Sequence, residues 1–570
     1  MRIITKLVSS LEKIFPDEAP GNRLERASAL CNEPFSFQVA YRCEPCRDGF
    51  EPFYVRVQTD LEDRLISQYS VGYVPVMRAD FMFADENFDR KTPGLYPDML
   101  LRRTTNAPLF IDDNCWKKYV EDGENNILSA VSDSYQALWF TVNEDRDTLE
   151  PGSYEITVKF FSSRDNELLA EETLTLHIIE AKLPKQSLYY TSWFHNDCLA
   201  DTYNLEVFSD EYFTVMRSFV REAAKTGMNM ILLPAFTPAL DTPIGGERKT
   251  VQLVKVARQG DRYTFDFSLM KKYIGICREC GIENFEHSHF FTQWGAKHAP
   301  KIMGTADGEY GRIFGWDTDA TSDEYAAFLE SYIAALKTFL KENGLEKNML
   351  FHISDEPNEE WIDYYKSAQK IVGEKLAGFM CGDALSHFEY YKNGSVKIPI
   401  VLVDSEDMDQ FVKDCDYYWV YYTGGQLKNG CSNRIIPTPS ARNRVIGLQM
   451  YKGAAKGFLH WGYNYYYDVL SHGIFNPVQN PCGYNKLAGT SYVVYPGLDR
   501  KAIPSLRMKV FYEGFNDYAA LEVLEEKIGR DAVLKFIENT LGKVDYHYCP
   551  TSDELFSFRQ KLNDEIVKNL

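Results

Sequence analysis

The chain has no apolar run long enough to cross a bilayer, and Met1 to Lys13 never form the uninterrupted apolar core of a secretory signal. We therefore expect a cytoplasmic protein with no integral membrane segment. Basic residues form no stripe: 62 Lys and Arg lie scattered among 82 Asp and Glu, for a formal charge of -20. Such a surface repels phosphate backbones, so nucleic acid and anionic membranes are poor partners. Cysteine is sparse, with 12 in 570 residues, which fits free thiols in a reducing compartment better than a disulfide framework. The two Cys-x-x-Cys pairs, Cys43/Cys46 and Cys277/Cys280, have no second pair or His spacing beside them, and we expect no metal and no cofactor. No Gly-x-Gly-x-x-Gly or Walker loop follows any strand-like segment, no Gly-x-Ser-x-Gly elbow is present, and no Cys stands at a helix start. Nucleotide binding and Ser or Cys nucleophile schemes lose their usual signals accordingly. Repeats and low-complexity tracts are also missing.

What is present is length, enough for two or three domains, and aromatic side chains, which make up 14% of the residues with 37 Tyr and 8 Trp. From about Asn32 to Ala181 short alternating stretches such as Phe35 to Tyr41, Phe53 to Val57, Ala137 to Val142, Tyr154 to Phe160 and Glu172 to Ile179 predict an antiparallel β-sandwich. Pro184 interrupts both helix and sheet, and a boundary near 182 to 187 follows. Beyond it, apolar strands alternate with amphipathic helices. Eight strands are read at Leu188 to Phe194, Met228 to Leu233, Glu283 to His287, Met349 to Ile353, Ala377 to Cys381, Ile398 to Val403, Tyr417 to Tyr422 and Gly457 to Trp461. The fold class is α/β, a (β/α)8 TIM-like barrel over 187–504 preceded by a sandwich over 1–182. A hairpin is expected within Val251 to Phe267, and the helical segment 505–570 is expected to pack on the outside of the barrel.

In such a barrel the C-terminal ends of the strands converge on one rim, where catalytic residues gather. Strand 4 ends in Ser354-Asp355-Glu356-Pro357, two adjacent carboxylates between a buried strand and a helix start at Asn358 to Trp361. Such a pair runs acid/base chemistry when apolar surroundings and mutual repulsion keep one member protonated. The alternative is an ordinary acidic first turn of a helix. The other strand ends supply Trp193, His195 and Asn196, then His287 and His289, then Asp383, Tyr421 and Tyr422, and finally Trp461, Tyr463 and Asn464. Rings mixed with His, Asn and Asp suit a sugar, whose C–H faces stack while its hydroxyls need paired donors and acceptors. A retaining glycosidase of the usual kind needs a second carboxylate about 5 Å away, and Asp404 after strand 6 is the candidate. An adjacent pair suits substrate assistance better, with the sugar's own 2-acetamido oxygen attacking the anomeric carbon.

Three motifs in order, Phe351-His352-Ile353-Ser354-Asp355-Glu356-Pro357, Gly457 to Asn464, and Ser505-Leu506-Arg507 with Glu513-Gly514-Phe515-Asn516-Asp517-Tyr518, make the sequence resemble glycoside hydrolase family 123 along nearly its whole length. The resemblance implies a retaining exo-acting β-N-acetylgalactosaminidase acting on an oligosaccharide or glycolipid head group with terminal β-linked N-acetylgalactosamine. By the same resemblance, Asp355 would stabilise an oxazolinium-type intermediate and Glu356 would be general acid and then base. A tyrosine hydroxyl, that of Tyr421 or Tyr422, would serve the acetamido oxygen. A carbohydrate-binding barrel without turnover is the reading from another class.

Overall fold

The computed structural model describes residues 2–45, 49–78, 87–103, 128–293, 295–356, 360, 362–426, 430–483 and 486–570. Cys46 and most of the expected helix start, Asn358, Glu359 and Trp361, lie outside these residues; the helix there is described from Ile362 to Val372.

Among the described residues ten strands open the chain: β1 (Ile3–Ser9), β2 (Arg26–Leu30), β3 (Phe35–Cys43), β4 (Phe50–Gln58), β5 (Ile66–Val76), β6 (Gly94–Arg103), β7 (Leu128–Val131), β8 (Gln136–Val142), β9 (Gly152–Ser162) and β10 (Leu168–Ile179). They form two five-stranded sheets, in the orders β1-β3-β8-β5-β6 and β2-β10-β9-β4-β7. Alternate residues such as Phe37, Val39, Phe53, Val55, Ile156, Val158, Leu174 and Leu176 meet in one core between them, as half-buried strands require. The purely antiparallel expectation needs one correction. β2 and β10 pair in parallel, with Thr175 opposite Arg26.

The next strands, in chain order, are β11 (Tyr189–Ser192), β12 (Met230–Leu233), the hairpin β13 (Lys255–Gln259) and β14 (Arg262–Asp266), β15 (Asn284–His287), the hairpin β16 (Ile302–Ala306) and β17 (Glu309–Phe314), β18 (Met349–Phe351), β19 (Met380–Leu385), β20 (Ile398–Leu402), β21 (Trp419–Tyr421) and β22 (Gly457–His460). Eight of them, β11-β12-β15-β18-β19-β20-β21-β22, close into a barrel of parallel strands. Its interior is filled by Met230, Leu232, Leu350, Ile400, Trp419 and Leu459, with Tyr189 stacked on Trp419 at 5.2 Å. Helices run in the connections, and their starts are legible: Ser209 and Ser322 accept the amide hydrogens of Tyr212 and Tyr325. The expected hairpin is β13–β14. The second hairpin extends it to a four-stranded sheet, in the order β14-β13-β16-β17, which packs Tyr263, Phe265 and Phe314 on Phe328 of the helix Asp323–Glu342.

The segment after the barrel is helical, at Leu506–Ile528, Arg530–Leu541 and Ser552–Lys568, and its first helix packs on the barrel's outer side, with Phe511 against Tyr190 and Phe458. That helix is wedged between the sheets and the barrel, and its charges are paired in the interior. Arg507 grips Asp98 of β6 with two bonds of 2.9 Å, and Lys509 pairs with Glu144. Arg444 holds Asp517 and Glu513. A Cβ added to Gly447 would lie 1.8 Å from the Gly514 carbonyl oxygen, so two glycines let the helices Ile446–Gly453 and Leu506–Ile528 touch backbone to backbone.

Candidate active site

At the C-terminal ends of the barrel strands lies a cavity of about 200 Å³ lined by Trp193, His195, Asp241, Gln293, Asp355, Glu356, Tyr421, Thr423, Trp461, Tyr465 and Lys486, together with Leu240, Ala384 and Leu459. The acid pair therefore faces a hollow walled by rings. The Tyr421 hydroxyl donates to Glu356 Oε1 at 2.9 Å. Glu356 adopts a left-handed backbone with φ 46°. That conformation is strained for a side chain with a Cβ, and more so before a proline; residues held this way cluster at functional sites. Burial and the adjacent Glu356 charge push the Asp355 carboxyl well above its ordinary range, against the pull of His352. The pair thus retains a proton beyond the pH at which a solvated carboxylate would lose it.

Beneath the pair the floor is a buried ionic triad. His352 Nε2 stands 2.8 Å from Glu286 Oε2, and its Nδ1 stands 3.6 Å from Asp383 Oδ1. Burial opposes the imidazolium, but the hydrogen bonds and charges of Asp383 and Glu286 outweigh it and lift His352 to about 10. Glu286 also accepts from Trp193 Nε1 at 2.9 Å and from Thr191, which fixes the plane of the indole in the cavity wall. Asp383 accepts from the Tyr365 hydroxyl at 2.6 Å and the Ile353 amide at 3.0 Å.

The wall on the other strands is equally fixed. Arg248 binds Asp197 through Nε at 2.6 Å and Nη2 at 2.9 Å, and donates to the Leu240 carbonyl at 2.6 Å. Its Nη2 also lies 3.4 Å from His195 Nδ1, and His195 Nε2 lies 2.8 Å from the Trp461 carbonyl. A guanidinium only donates, so His195 carries its proton on Nε2. Burial and the Arg248 charge lower its pKa to about 4, and the ring is neutral. Gly462 follows Trp461 at a point where a Cβ would meet the Ser491 carbonyl oxygen at 2.3 Å. Lys486 Nζ lies over the rings of Trp461 and Tyr465, at 4.9 and 4.2 Å.

Of the residues expected to contact substrate, Trp193, His195, Tyr421 and Trp461 line the cavity with the acid pair. The rest do not, each for a definite reason. Asn196 turns back to accept from Tyr212 and Tyr273 at 2.6 and 3.1 Å. His287 points into the layer between strands and helices, 2.7 Å from the Tyr332 hydroxyl. His289 is a second layer behind the wall, stacked on His352 at 4.7 Å with its edge toward Trp193. Asp383 belongs to the floor. Tyr422 faces Phe458 and His460, while the Tyr463 hydroxyl donates to the Phe219 carbonyl at 2.7 Å. Asn464 clamps the His195 backbone with bonds of 2.8 and 3.2 Å. Asp404 is not among the cavity-lining residues. Among the described residues no group of three or more His, Cys, Asp or Glu side chains is arranged to hold a metal ion, and no helix is long and apolar enough to cross a membrane.

Sequence reasoning missed Asp241, Gln293, Thr423, Tyr465 and Lys486. Asp241 had a usable signal, a carboxylate just before Thr242-Pro243 in the loop leaving strand 2. Lys486 had none, because its loop returns to the rim 26 residues after β22 ends.

Comparison with known proteins agrees with this architecture. The family model "Glycoside hydrolase 123, catalytic domain" matches residues 193–524, more than half of the chain. A family 123 glycoside hydrolase from Clostridium perfringens, solved in a study of glycolipid glycan hydrolysis, is similar at 12% identity and a TM-score of 0.71 over 100% of this chain and 98% of that one. At that identity the likeness concerns the fold. A family 39 glycoside hydrolase from Bacteroides cellulosilyticus WH2 matches at 8% identity and a TM-score of 0.32, covering 81% of this chain and 80% of that chain. No curated protein matches. With the acid pair on a ring-walled barrel rim and the catalytic-domain model spanning that rim, the chain belongs to glycoside hydrolase family 123.

Proposed function

We propose that the protein is a retaining exo-β-N-acetylgalactosaminidase that cleaves terminal β-linked N-acetylgalactosamine by substrate assistance, on an oligosaccharide or a glycolipid head group. The observation that carries this reading is the adjacency of Asp355 and Glu356 in one cavity, with the Tyr421 hydroxyl 2.9 Å from Glu356. A cavity of about 200 Å³ suits a single sugar ring, which favours exo action.

In the proposed reaction the acetamido oxygen attacks the anomeric carbon as the glycosidic C–O bond breaks, and Glu356 gives its proton to the departing oxygen. The acetamido N–H then points at Asp355, whose carboxylate is favoured as positive charge develops on the cyclising amide. Binding thus draws the proton of the pair from Asp355 to Glu356. Tyr421 is the hydroxyl for the acetamido oxygen, since Tyr422 faces the outer layer. In the second half Glu356 takes a proton from water, which attacks the anomeric carbon and reopens the ring with retention. Double displacement has weaker support, because the other carboxylate lining the cavity among the described residues, Asp241, is engaged by Lys486 at 3.2 Å and by Tyr465 at 2.8 Å. The catalytic unit is read as 187–504, with 1–182 as a supporting sandwich.

The test compares p-nitrophenyl β-N-acetylgalactosaminide, β-N-acetylglucosaminide and β-galactoside. The first is turned over fastest with retention and the galactoside is inert for want of the acetamide. Comparable hydrolysis of the galactoside would overturn substrate assistance, and release from none of the three would leave a binding barrel.

A further inference from the structure

Besides the acid pair, the cavity carries a second polar group, built from three loops and so far without a role. Asp241 has a left-handed backbone with φ 44°, and so do Leu470 and Ser471, at 57° and 56°. These strained residues are bonded to one another: the Ser471 hydroxyl donates to the Asp241 carbonyl at 2.7 Å and the Leu470 amide to Asp241 Oδ1 at 3.3 Å. Asp241 Oδ2 accepts from the Tyr465 hydroxyl at 2.8 Å and from Lys486 Nζ at 3.2 Å. The Asp241 amide donates to Gln293 Oε1 at 2.8 Å, which turns the Gln293 Nε2 group the other way. That nitrogen is buried, has no hydrogen-bond partner among the described residues, and belongs to a side chain that lines the cavity and is 9% exposed.

A buried amide donor without a partner is costly unless a ligand completes it. Beside it, Asp241 Oδ1 retains acceptor capacity after its one bond to Leu470. A donor and an acceptor on two cavity-lining residues joined by the Asp241 amide to Gln293 Oε1 bond match a hydroxyl, which is both. An anionic ring substituent would meet the Asp241 carboxylate, and a cation would meet Lys486, so the pole favours a neutral hydroxylated ring. The partly exposed Trp461 ring lies alongside in the cavity wall, where it can take a C–H face of the same ring.

We propose that Asp241 and Gln293 form the hydroxyl-reading pole of this cavity and that Asp241 is a specificity-determining residue for the sugar. The inference rests on the reading above that the cavity holds the ring to be cleaved. Lys486, Tyr465 and the Leu470 amide position the Asp241 carboxylate, and substrate bonds to Asp241 Oδ1 and Gln293 Nε2.

The test is calorimetric titration of methyl β-N-acetylgalactosaminide and its 3-, 4- and 6-deoxy forms into the full chain and into Asp241→Asn. The parent protein should bind one of the deoxy sugars about tenfold to a hundredfold more weakly than the complete sugar. Asp241→Asn should lose the same factor on the complete sugar and nothing further on that deoxy form. Equal binding of all deoxy forms by the parent protein overturns the proposal, and that measurement needs no variant to fold. A uniform loss across the series in Asp241→Asn also overturns it, as does an α-glycosyl azide made by Asp241→Ala in azide, which would make Asp241 a nucleophile. If methyl β-galactoside binds as well as the acetamido sugar while the deoxy pattern holds, the substrate-assisted reading falls and this one stands. If no sugar binds, both fall.

Discussion

The Tyr421 hydroxyl stands 2.9 Å from Glu356 Oε1, joining the end of the seventh barrel strand to the carboxylate that follows the fourth. This bond holds Glu356 in its left-handed turn. In the proposed reaction the same hydroxyl would have the acetamido oxygen as a competing acceptor, which would release Glu356 toward the glycosidic oxygen.

Glu356→Gln removes the transferable proton while keeping the shape of the side chain. Its kcat/KM on poor leaving groups should fall by about 10²- to 10⁴-fold, with a much smaller fall for an activated aglycone. Azide should restore part of the turnover of Glu356→Ala with p-nitrophenyl substrate. Steady-state rates across an aglycone series check both, and unchanged activity in Glu356→Gln removes the residue from the mechanism.

Asp355→Asn should lower activated and unactivated substrates alike, by about 10²- to 10³-fold, because in the proposed reaction the lost interaction is with the cyclising amide and not the leaving group. Its pH dependence has a definite sign. The parent pair holds its proton above the ordinary carboxylate range because two negative charges in one desolvated site repel. With one charge removed, the basic limb of the kcat/KM profile should move to lower pH. An unmoved limb would mean that the two carboxylates are not coupled.

The two neighbouring tyrosines should separate cleanly. Tyr421→Phe should lower kcat by about tenfold to a hundredfold through loss of a hydrogen bond to developing charge. Tyr422→Phe, altered where the ring packs on Phe458 and His460, should leave kcat/KM within about twofold. Equal effects would contradict the alternation of the strand.

His352→Leu leaves Glu286 and Asp383 buried without their shared cation, which should cost about 3–5 kcal/mol in urea unfolding. In the parent chain the folded pKa of His352, about 10, exceeds the unfolded value of 6.5. Its contribution is therefore complete below about pH 6.5 and is lost as pH rises through 10. Urea midpoints between pH 6 and 10 should show that decline and His352→Leu should lack it.

The barrel was legible because buried parallel strands read as short apolar runs bounded by helix caps; Met349–Phe351 and Gly457–His460 lie within the expected strands. The fifth strand was displaced, expected at Ala377 to Cys381 and found at Met380–Leu385. Gly382 and Asp383 look like a turn, but Gly382 lies flat against the Ile398 carbonyl and Asp383 is tolerated inside the strand by His352. The same effect hid the floor: charges that satisfy one another across β15, β18 and β19 carry no local pattern. At strand 3 the alternation that grouped His287 with His289 stops at the strand end, and Glu286 is the side chain that reaches the floor under the cavity. The acid pair was readable because its strand, its adjacency and its proline are contiguous, whereas Asp241, Gln293 and Lys486 are brought together only by three separate loops.

The ion triad under the cavity also bears on how this enzyme can diversify. A lone replacement of Glu286, His352 or Asp383 strands an uncompensated charge in a buried layer, so that layer should change only by concerted replacement. Divergence among paralogues toward other sugars would then be written in the loops around Asp241 and Lys486, whose substitutions leave the triad untouched.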